Sequence, residues 1–169
     1  GEVKHVLKGS GKRMWEIAVG PNYQIAFGQE KVSRQQLNQY GELGKMFDLS
    51  EMELKELPSD LGDFTAEVMD NGEFSIDYSN SSPSKITVSN GSEIDISANV
   101  DGSIRCASIA PNGNVVVGCS YRTKMFSPTG EELKEFVGHT AEVYGLAFSH
   151  DGKFMFTSSG DQSIKIWDM

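Results

Sequence analysis

Three side chains near the carboxyl end of the chain have the residue types of a hydrolytic triad. His139, Thr157 and Asp161 would supply a general base, a hydroxyl nucleophile and an orienting carboxylate. Thr157, however, stands inside an apolar run typical of a β-strand, without a nucleophile elbow or recognisable oxyanion donors. The residue types therefore favour a structural role, and we assign no catalytic residue.

Metal, cofactor and disulfide chemistry are also poorly supported by the sequence. The three histidines, His5, His139 and His150, are far apart and have no ligand spacing. The two cysteines, Cys106 and Cys119, fall in predicted strands and form no CxxC pair. We therefore expect no metal, no cofactor and two reduced, buried thiols in a reducing compartment, the cytoplasm or the nucleus.

The charge and hydropathy of the chain limit its partners. The 169 residues carry a formal net charge of −9, with 15 basic residues scattered among 24 acidic ones. Nucleic-acid binding requires clustered Lys and Arg, so we do not expect it. No run of 18 or more apolar residues is present, so we expect no membrane span. The apolar content of 38% is enough for a folded core.

Short alternating runs separated by turn residues predict β-strands at the carboxyl end. Val143–Phe148 alternates as a strand does, and Asp151-Gly152 supplies the positive φ of a hairpin turn. Lys153–Ser158 and Ser163–Trp167 follow as further strands, and Glu132–Phe136 precedes them. No long helical period occurs anywhere in the chain, so the sequence favours an all-β fold.

This segment also begins with Gly138-His139 and ends with Trp167-Asp168. Val137–Met169 thereby resembles one complete WD repeat, the unit of WD40 β-propellers. The resemblance implies a blade whose strand a lines a central channel and whose strand d is the outer edge. It also implies a buried hydrogen-bonded tetrad of a histidine, a hydroxyl, a carboxylate and an indole, which by position are His139, Thr157, Asp161 and Trp167.

Weaker copies of the same unit precede it. Asn112-Gly113 stands about forty residues before Asp151-Gly152, and Asn71-Gly72 stands about forty before Asn112-Gly113, which is the spacing of a WD repeat. In the second copy, Thr65–Met69 would be strand a and Phe74–Tyr78 strand b. We predict a partial propeller of four d-abc repeats within one domain, at about residues 2–48, 52–89, 92–127 and 131–169.

Four repeats are fewer than a seven-bladed WD propeller contains, and both chain ends would expose unpaired strand edges. Three arrangements follow. The chain is a segment of a longer propeller, two copies form one ring as a homodimer, or the amino-terminal strand d closes against the last abc set. The first is favoured for the native protein, with edge pairing to another chain expected when the segment is alone.

The resemblance implies a non-catalytic scaffold that binds other proteins. The polar insertion Glu30–Gly44 would project from the face of the d–a and b–c loops, with Arg34, Gln36 and Tyr40 as candidate contacts. Tyr121 and Arg122, on a neighbouring b–c turn, are weaker candidates.

Two alternative functions stay open. One is a sensor or autoinhibitory domain within a larger signalling protein. The other is a propeller enzyme with a site in its channel, which would need converging carboxylates or histidines. The positions at the starts of the a strands contain a single acidic residue and are Arg13, Thr65, Ser103 and Glu142.

Overall fold

The computed structural model describes residues 2–8, 16–20, 23–28, 45–55, 65–66, 74–76, 85–88, 93–95 and 104–169. Within these ranges there is no α-helix, and every strand pair is antiparallel, so the predicted all-β class is confirmed. The strands of the amino-terminal half are β1 (Val3–Lys8), β2 (Glu16–Val19), β3 (Gln24–Gly28), β4 (Lys45–Asp48), β5 (Glu53–Lys55), β6 (Thr65–Ala66), β7 (Phe74–Ile76), β8 (Lys85–Val88) and β9 (Glu93–Asp95). Those of the carboxyl-terminal half are β10 (Cys106–Ile109), β11 (Val115–Gly118), β12 (Arg122–Phe126), β13 (Glu132–Val137), β14 (Val143–Phe148), β15 (Phe154–Ser159) and β16 (Ser163–Asp168).

The described strands form four sheets. The first has the order β5-β4-β3-β2-β6, the second β7-β8-β9 and the third β10-β11-β12-β13. The fourth has the order β1-β16-β15-β14, so it combines the two ends of the chain. In the third sheet each strand pairs with the next one in sequence, which is the meander expected of one blade.

The fourth sheet corrects the expectation of unpaired edges at both chain ends. β1 pairs with β16 along its length, from Val3 opposite Trp167 to Lys8 opposite Ser163. The pairing is favourable because the inward side chains of β1 reach two cores, Leu7 on one side of the sheet and Val3 on the other. The edge of β16 is therefore covered by the same chain. This is the strand pairing of the third arrangement, in which the amino-terminal strand d closes against the last abc set.

The second sheet departs from the predicted repeat. Thr65 and Ala66, expected as strand a beside β7, form the short β6 and pair with Val19 and Ala18 of β2 instead. Among the described strands, the second sheet therefore has three members and the first has five. Residues 67–73, which include the rest of that predicted strand, lie outside the described part of the chain.

Three turns at one end of the sheets share a geometry that the sequence predicts. Gly113, Gly130 and Gly152 have φ values of +86°, +88° and +69°, a region in which glycine alone has no steric penalty. In each turn the glycine N–H donates to the carbonyl three residues earlier, at 2.8–3.0 Å. These turns set the register of the strands that carry the polar residues at the other end.

Two apolar clusters pack on opposite sides of the fourth sheet. One joins it to the first sheet and contains Ile17, Val19, Ile25, Phe47, Ala147, Phe156, Ile164 and Ile166. The other joins it to the third sheet and contains Cys106, Ala110, Val116, Met125, Phe136, Val143, Leu146, Phe148, Met155 and Trp167. The fourth sheet is thus held between its neighbours by side chains that alternate along β15 and β16.

Candidate functional site

The fourth sheet brings together the four polar residues that the sequence singles out. Thr157 lies on β15 and Trp167 on the adjacent β16, both fully buried. His139 lies in the connection between β13 and β14 and is also buried. Asp161 lies in the turn between β15 and β16, at the same end of the sheet. Two paired strands and two loops therefore converge on one point.

A continuous line of hydrogen bonds connects the four side chains. Trp167 Nε1 lies 2.8 Å from Thr157 Oγ1, and that oxygen lies 2.7 Å from His139 Nε2. His139 Nδ1 in turn lies 2.7 Å from Asp161 Oδ2. We refer to this set of four residues as the tetrad.

The proton positions in the tetrad follow from the chemistry of its ends. The Trp167 indole can only donate, so Thr157 accepts that bond and donates its own proton to His139 Nε2. The remaining imidazole proton is then on Nδ1 and is donated to the Asp161 carboxylate. Every donor and acceptor along the line has one partner, which is the condition under which a buried polar network specifies a single geometry.

The pKa directions of His139 and Asp161 agree with this assignment of the protons. Burial is the largest influence on His139 and lowers its pKa, although the nearby Asp161 acts to raise it. Burial acts to raise the pKa of Asp161, but hydrogen bonds from Ser163, His139 and the Thr140 amide outweigh it, and that pKa is lowered. A neutral imidazole facing an ionised carboxylate is the consequence at neutral pH.

Asp161 also ties two loops together. Its Oδ2 accepts the Thr140 amide at 3.1 Å, and its Oδ1 accepts the Ser163 amide at 3.0 Å and the Ser163 hydroxyl at 2.6 Å. The carboxylate thereby links the β15–β16 turn to the β13–β14 connection. Its oxygens are fully engaged, and its side chain is only 9% exposed.

This arrangement is not one of a hydrolytic site. The Thr157 hydroxyl is fully buried and already uses its proton and a lone pair inside the tetrad. A nucleophile must reach a substrate carbon, and no approach to this oxygen is open. Within the described ranges, no group of three His, Cys, Asp or Glu side chains has the arrangement of a metal site.

The candidate partner contacts are placed only in part. Tyr121 lies in the turn between β11 and β12 with 59% of its surface exposed. Arg122, at the start of β12, donates to Glu135 at 2.8 Å across the strand pair. The remaining candidates, Arg34, Gln36 and Tyr40 with the rest of the insertion, lie outside the described residues.

Of the four positions at the starts of the predicted a strands, the structure describes two. Thr65 is part of β6 and pairs with Val19, and the Glu142 carbonyl accepts the Gly160 amide at 3.0 Å. Arg13 and Ser103 lie outside the described ranges.

A polar contact between the first and fourth sheets was not predicted. The Tyr23 hydroxyl donates to Asp151 Oδ2 at 2.7 Å, and the Tyr23 ring packs edge-on against Phe154 with centroids 5.4 Å apart. Hydrogen bonds from Tyr23, Lys153 and Ser149 hold the pKa of Asp151 well below its ordinary value. The two residues are 128 positions apart, so no local pattern could reveal the contact.

The aspartates that end β4 and β16 have different roles. Asp168, of the Trp-Asp pair, is exposed and pairs with Lys4 at 3.3 Å. Asp48, the last residue of β4, is buried and accepts hydrogen bonds from Ser50, Lys55 and Gln24. These bonds, that from the Ser50 hydroxyl being the strongest influence, lower the pKa of Asp48 far below its ordinary value.

The family model described as "WD domain, G-beta repeat" matches residues 130–168, which confirms the resemblance for the carboxyl-terminal unit. No helix among the described residues is long and apolar enough to cross a membrane.

Three curated relatives illustrate what this chain is similar to in part. It is 58% identical over 36 residues, 21% of this chain, to the "COMPASS component SWD3" of Saccharomyces cerevisiae. It is 51% identical over 37 residues, 22% of this chain, to the "Target of rapamycin complex subunit wat1" of Schizosaccharomyces pombe. A stretch of 72 residues, 39% of this chain, is 31% identical to the "WD repeat-containing protein 1" of Mus musculus. The matched stretches span 11%, 12% and 12% of the lengths of these relatives.

Among solved structures, the computationally designed Ika8 protein superposes with a TM-score of 0.46 at 18% sequence identity. The superposition covers 92% of this chain and 46% of that chain.

Proposed function

We propose that this WD-repeat chain is a non-catalytic platform that binds other proteins. The observation that carries the proposal is the complete internal use of the tetrad. Each polar side-chain atom of the tetrad has its partner within the tetrad or the two loops beside it, so the motif fixes the shape of those loops. A rigid set of loops on a β scaffold is suited to recognition.

The names of the relatives support this class of function. Two of them are a component of COMPASS and a subunit of the target of rapamycin complex, both of which are assemblies of several proteins. The resemblance rests on about one repeat in each case. It supports a protein partner for this chain and does not extend to the particular partners of those complexes.

We place the binding face at the end of the sheets that carries the β11–β12 turn, the β13–β14 connection and the β15–β16 turn. Backbone hydrogen bonds tie these loops to one another, from Val143 N to the Cys119 carbonyl at 3.2 Å and from Gly160 N to the Glu142 carbonyl at 3.0 Å. Tyr121 is a large exposed side chain of this face. An exposed tyrosine on a fixed turn offers contact area at little cost in conformational entropy.

The insertion Glu30–Gly44 would join this face, because it connects β3 to β4 as the Tyr121 turn connects β11 to β12. Arg34, Gln36 and Tyr40 therefore remain proposed contacts. Deletion of Lys31–Leu43 should abolish capture of the partner and leave folding intact, and unchanged binding would contradict this part of the proposal.

A photocrosslinking experiment tests the face directly. p-Benzoylphenylalanine is placed at Tyr121 in one sample and at Pro128, exposed in a turn at the opposite end, in another. We expect a discrete crosslinked protein from the first position only, and an affinity for that protein at least about tenfold lower after Tyr121→Ala. Equal crosslinking from both positions would argue against the proposed face, and an absence of any discrete adduct would argue against the platform itself.

A further inference from the structure

We propose that a cleft beside β1 binds an extended acidic segment of a partner protein, with the segment pairing to the open edge of β1. The cleft has a volume of about 350 Å³ and lies between β1, the start of β16 and the β13–β14 connection. We call it the β1 cleft. The inference rests on the proposed platform function and specifies one surface and one class of ligand for it.

The shape of the cleft depends on a close approach of the β13–β14 connection to the fourth sheet. Gly138 lies directly over Trp167, where an added Cβ would be 3.1 Å from Cη2 of the indole and 3.3 Å from Val3 Cγ2. The space above Gly138, beside Val6 and Lys165, is the cleft.

The open edge of β1, beside the cleft, supplies backbone hydrogen-bonding groups. β1 is the last strand of its sheet, with β16 on one side and no described strand on the other. In an edge strand, half of the N–H and C=O groups point away from the paired neighbour and can accept an added strand. The sequence of β1, VKHVLK, contains no proline to prevent such pairing.

The charges around the cleft select an acidic ligand. Lys8 and Lys165 both line it, and neither has an ion-pair partner among the described residues. Among the described residues of the lining, the single carboxylate is that of Asp161, which is already bonded within the tetrad and to Thr140. Two unneutralised ammonium groups therefore face an open cleft.

This pair of lysines is different from other lysines of the described residues. The chain as a whole carries nine negative charges in excess, and several of these other lysines accordingly have a carboxylate within 3.3 Å. These lysines are Lys4, Lys55, Lys124 and Lys153. In an acidic protein, two lysines without a partner side by side mark a place where an external carboxylate is favoured.

Apolar surface between the charges indicates the pattern of the ligand. Val6 lines the cleft and is 43% exposed, and Val137, next to Gly138, is 61% exposed. Alternate residues of an added strand point to the same side, 6–7 Å apart by strand geometry. The expected ligand is therefore an extended segment in which glutamate or aspartate alternates with aliphatic residues.

Fluorescence anisotropy with defined peptides tests the inference on the intact protein. The probe is a labelled, acetylated ten-residue peptide in which glutamates alternate with valines and threonines, and a second peptide has lysine in place of each glutamate. We expect binding of the acidic peptide only, weakened at least about tenfold by Lys8→Gln combined with Lys165→Gln. Lys134→Gln, on the outer strand β13, is the matched control and should leave the affinity unchanged. Lys8→Gln alone, at an exposed position, provides a variant whose folding is not at risk.

The location of the peptide is tested by amide chemical shifts, which should change in residues 3–8 and in the other residues that line the cleft, and little elsewhere. Failure of the acidic peptide to bind, equal loss in the Lys134 variant, or equal binding of the basic peptide would overturn the inference. The Tyr121→Ala variant separates the two proposals, because it should bind the peptide with unchanged affinity. Loss of peptide binding with retained crosslinking at Tyr121 would refute the β1 cleft and leave the platform in place.

Discussion

Replacement of Thr157 by valine should show how strongly the tetrad stabilises the fold. Valine has nearly the volume of threonine but can neither accept the Trp167 N–H nor donate to His139 Nε2. Two buried polar groups would lose their partner, each at a cost of about 1–3 kcal/mol. We expect the free energy of unfolding to fall by about 3 kcal/mol, a large part of the 5–15 kcal/mol that is typical of a domain.

Urea titrations followed by tryptophan fluorescence and far-UV circular dichroism measure this effect, with equal m-values as the test that one transition is compared. Thr157→Ser is the matched control. It keeps the hydroxyl and loses one methyl group, so its cost should be about 1 kcal/mol.

A double-mutant cycle then separates the hydrogen bond from packing. In a Trp167→Phe background the indole N–H is already absent, so Thr157→Val would leave only the imidazole nitrogen of His139 unpaired. The valine substitution should then cost about half as much, a coupling of about 1–2 kcal/mol. Equal losses for the serine and valine variants, or strict additivity with Trp167→Phe, would refute the assignment of donors and acceptors along the tetrad.

Three further predictions concern other contacts. Burial lowers the pKa of His139 from its ordinary value of 6.5, so below pH 6.5 the unfolded chain takes up a proton that the native chain does not. The free energy of unfolding is therefore undiminished above pH 6.5 and falls as the pH drops from 6.5 towards the lowered pKa of the native state. Urea titrations between about pH 7 and 5 should show a smaller loss in the His139→Gln variant, and parallel pH profiles would contradict the neutral imidazole. Gly118→Ala should lower the free energy of unfolding by about 1–3 kcal/mol in thermal melts because the new Cβ overlaps Cys106 Sγ, and the additional change Cys106→Ala should restore part of it, whereas no recovery would exclude this overlap as the cause. Tyr23→Phe removes the hydrogen bond to Asp151, so the pKa of that aspartate, measured by NMR titration, should rise towards 3.8, and an unchanged value would show that Lys153 and Ser149 hold it down without the tyrosine.

Local patterns in the sequence predicted those turns and strands whose conformation depends on residues close together in the chain. Asp151-Gly152 and Asn112-Gly113 predicted turns because only glycine adopts their positive φ without strain, and both glycines do so. The alternation in Val143–Phe148 predicted a strand, and β14 has those bounds. The positions of the tetrad followed from a motif with fixed spacing.

Contacts between segments that are far apart in the sequence could not be predicted from such local patterns. Nothing in the run VKHVLK indicates whether β1 pairs with another chain or with β16, because its alternation fits any sheet edge. Thr65 and Ala66 fit a strand beside β7 as well as one beside β2, and the structure pairs them with β2. Tyr23 has a positive φ of 61°, which no propensity predicts for an aromatic residue, and this conformation accompanies its contact with Asp151.

The pairing of β1 with β16 has a consequence for the synthesis of the chain on the ribosome. Lys4 and Asp168, whose side chains meet at 3.3 Å, are separated by 164 positions. At about 5–20 residues per second, β1 emerges some 10–30 s before β16 exists. During that interval the nascent chain carries a strand whose apolar face has no partner, and the fourth sheet can assemble only after translation of the segment is complete. Folding is therefore slowed by the closure of a long loop, and β1 is the element for which chaperones would compete.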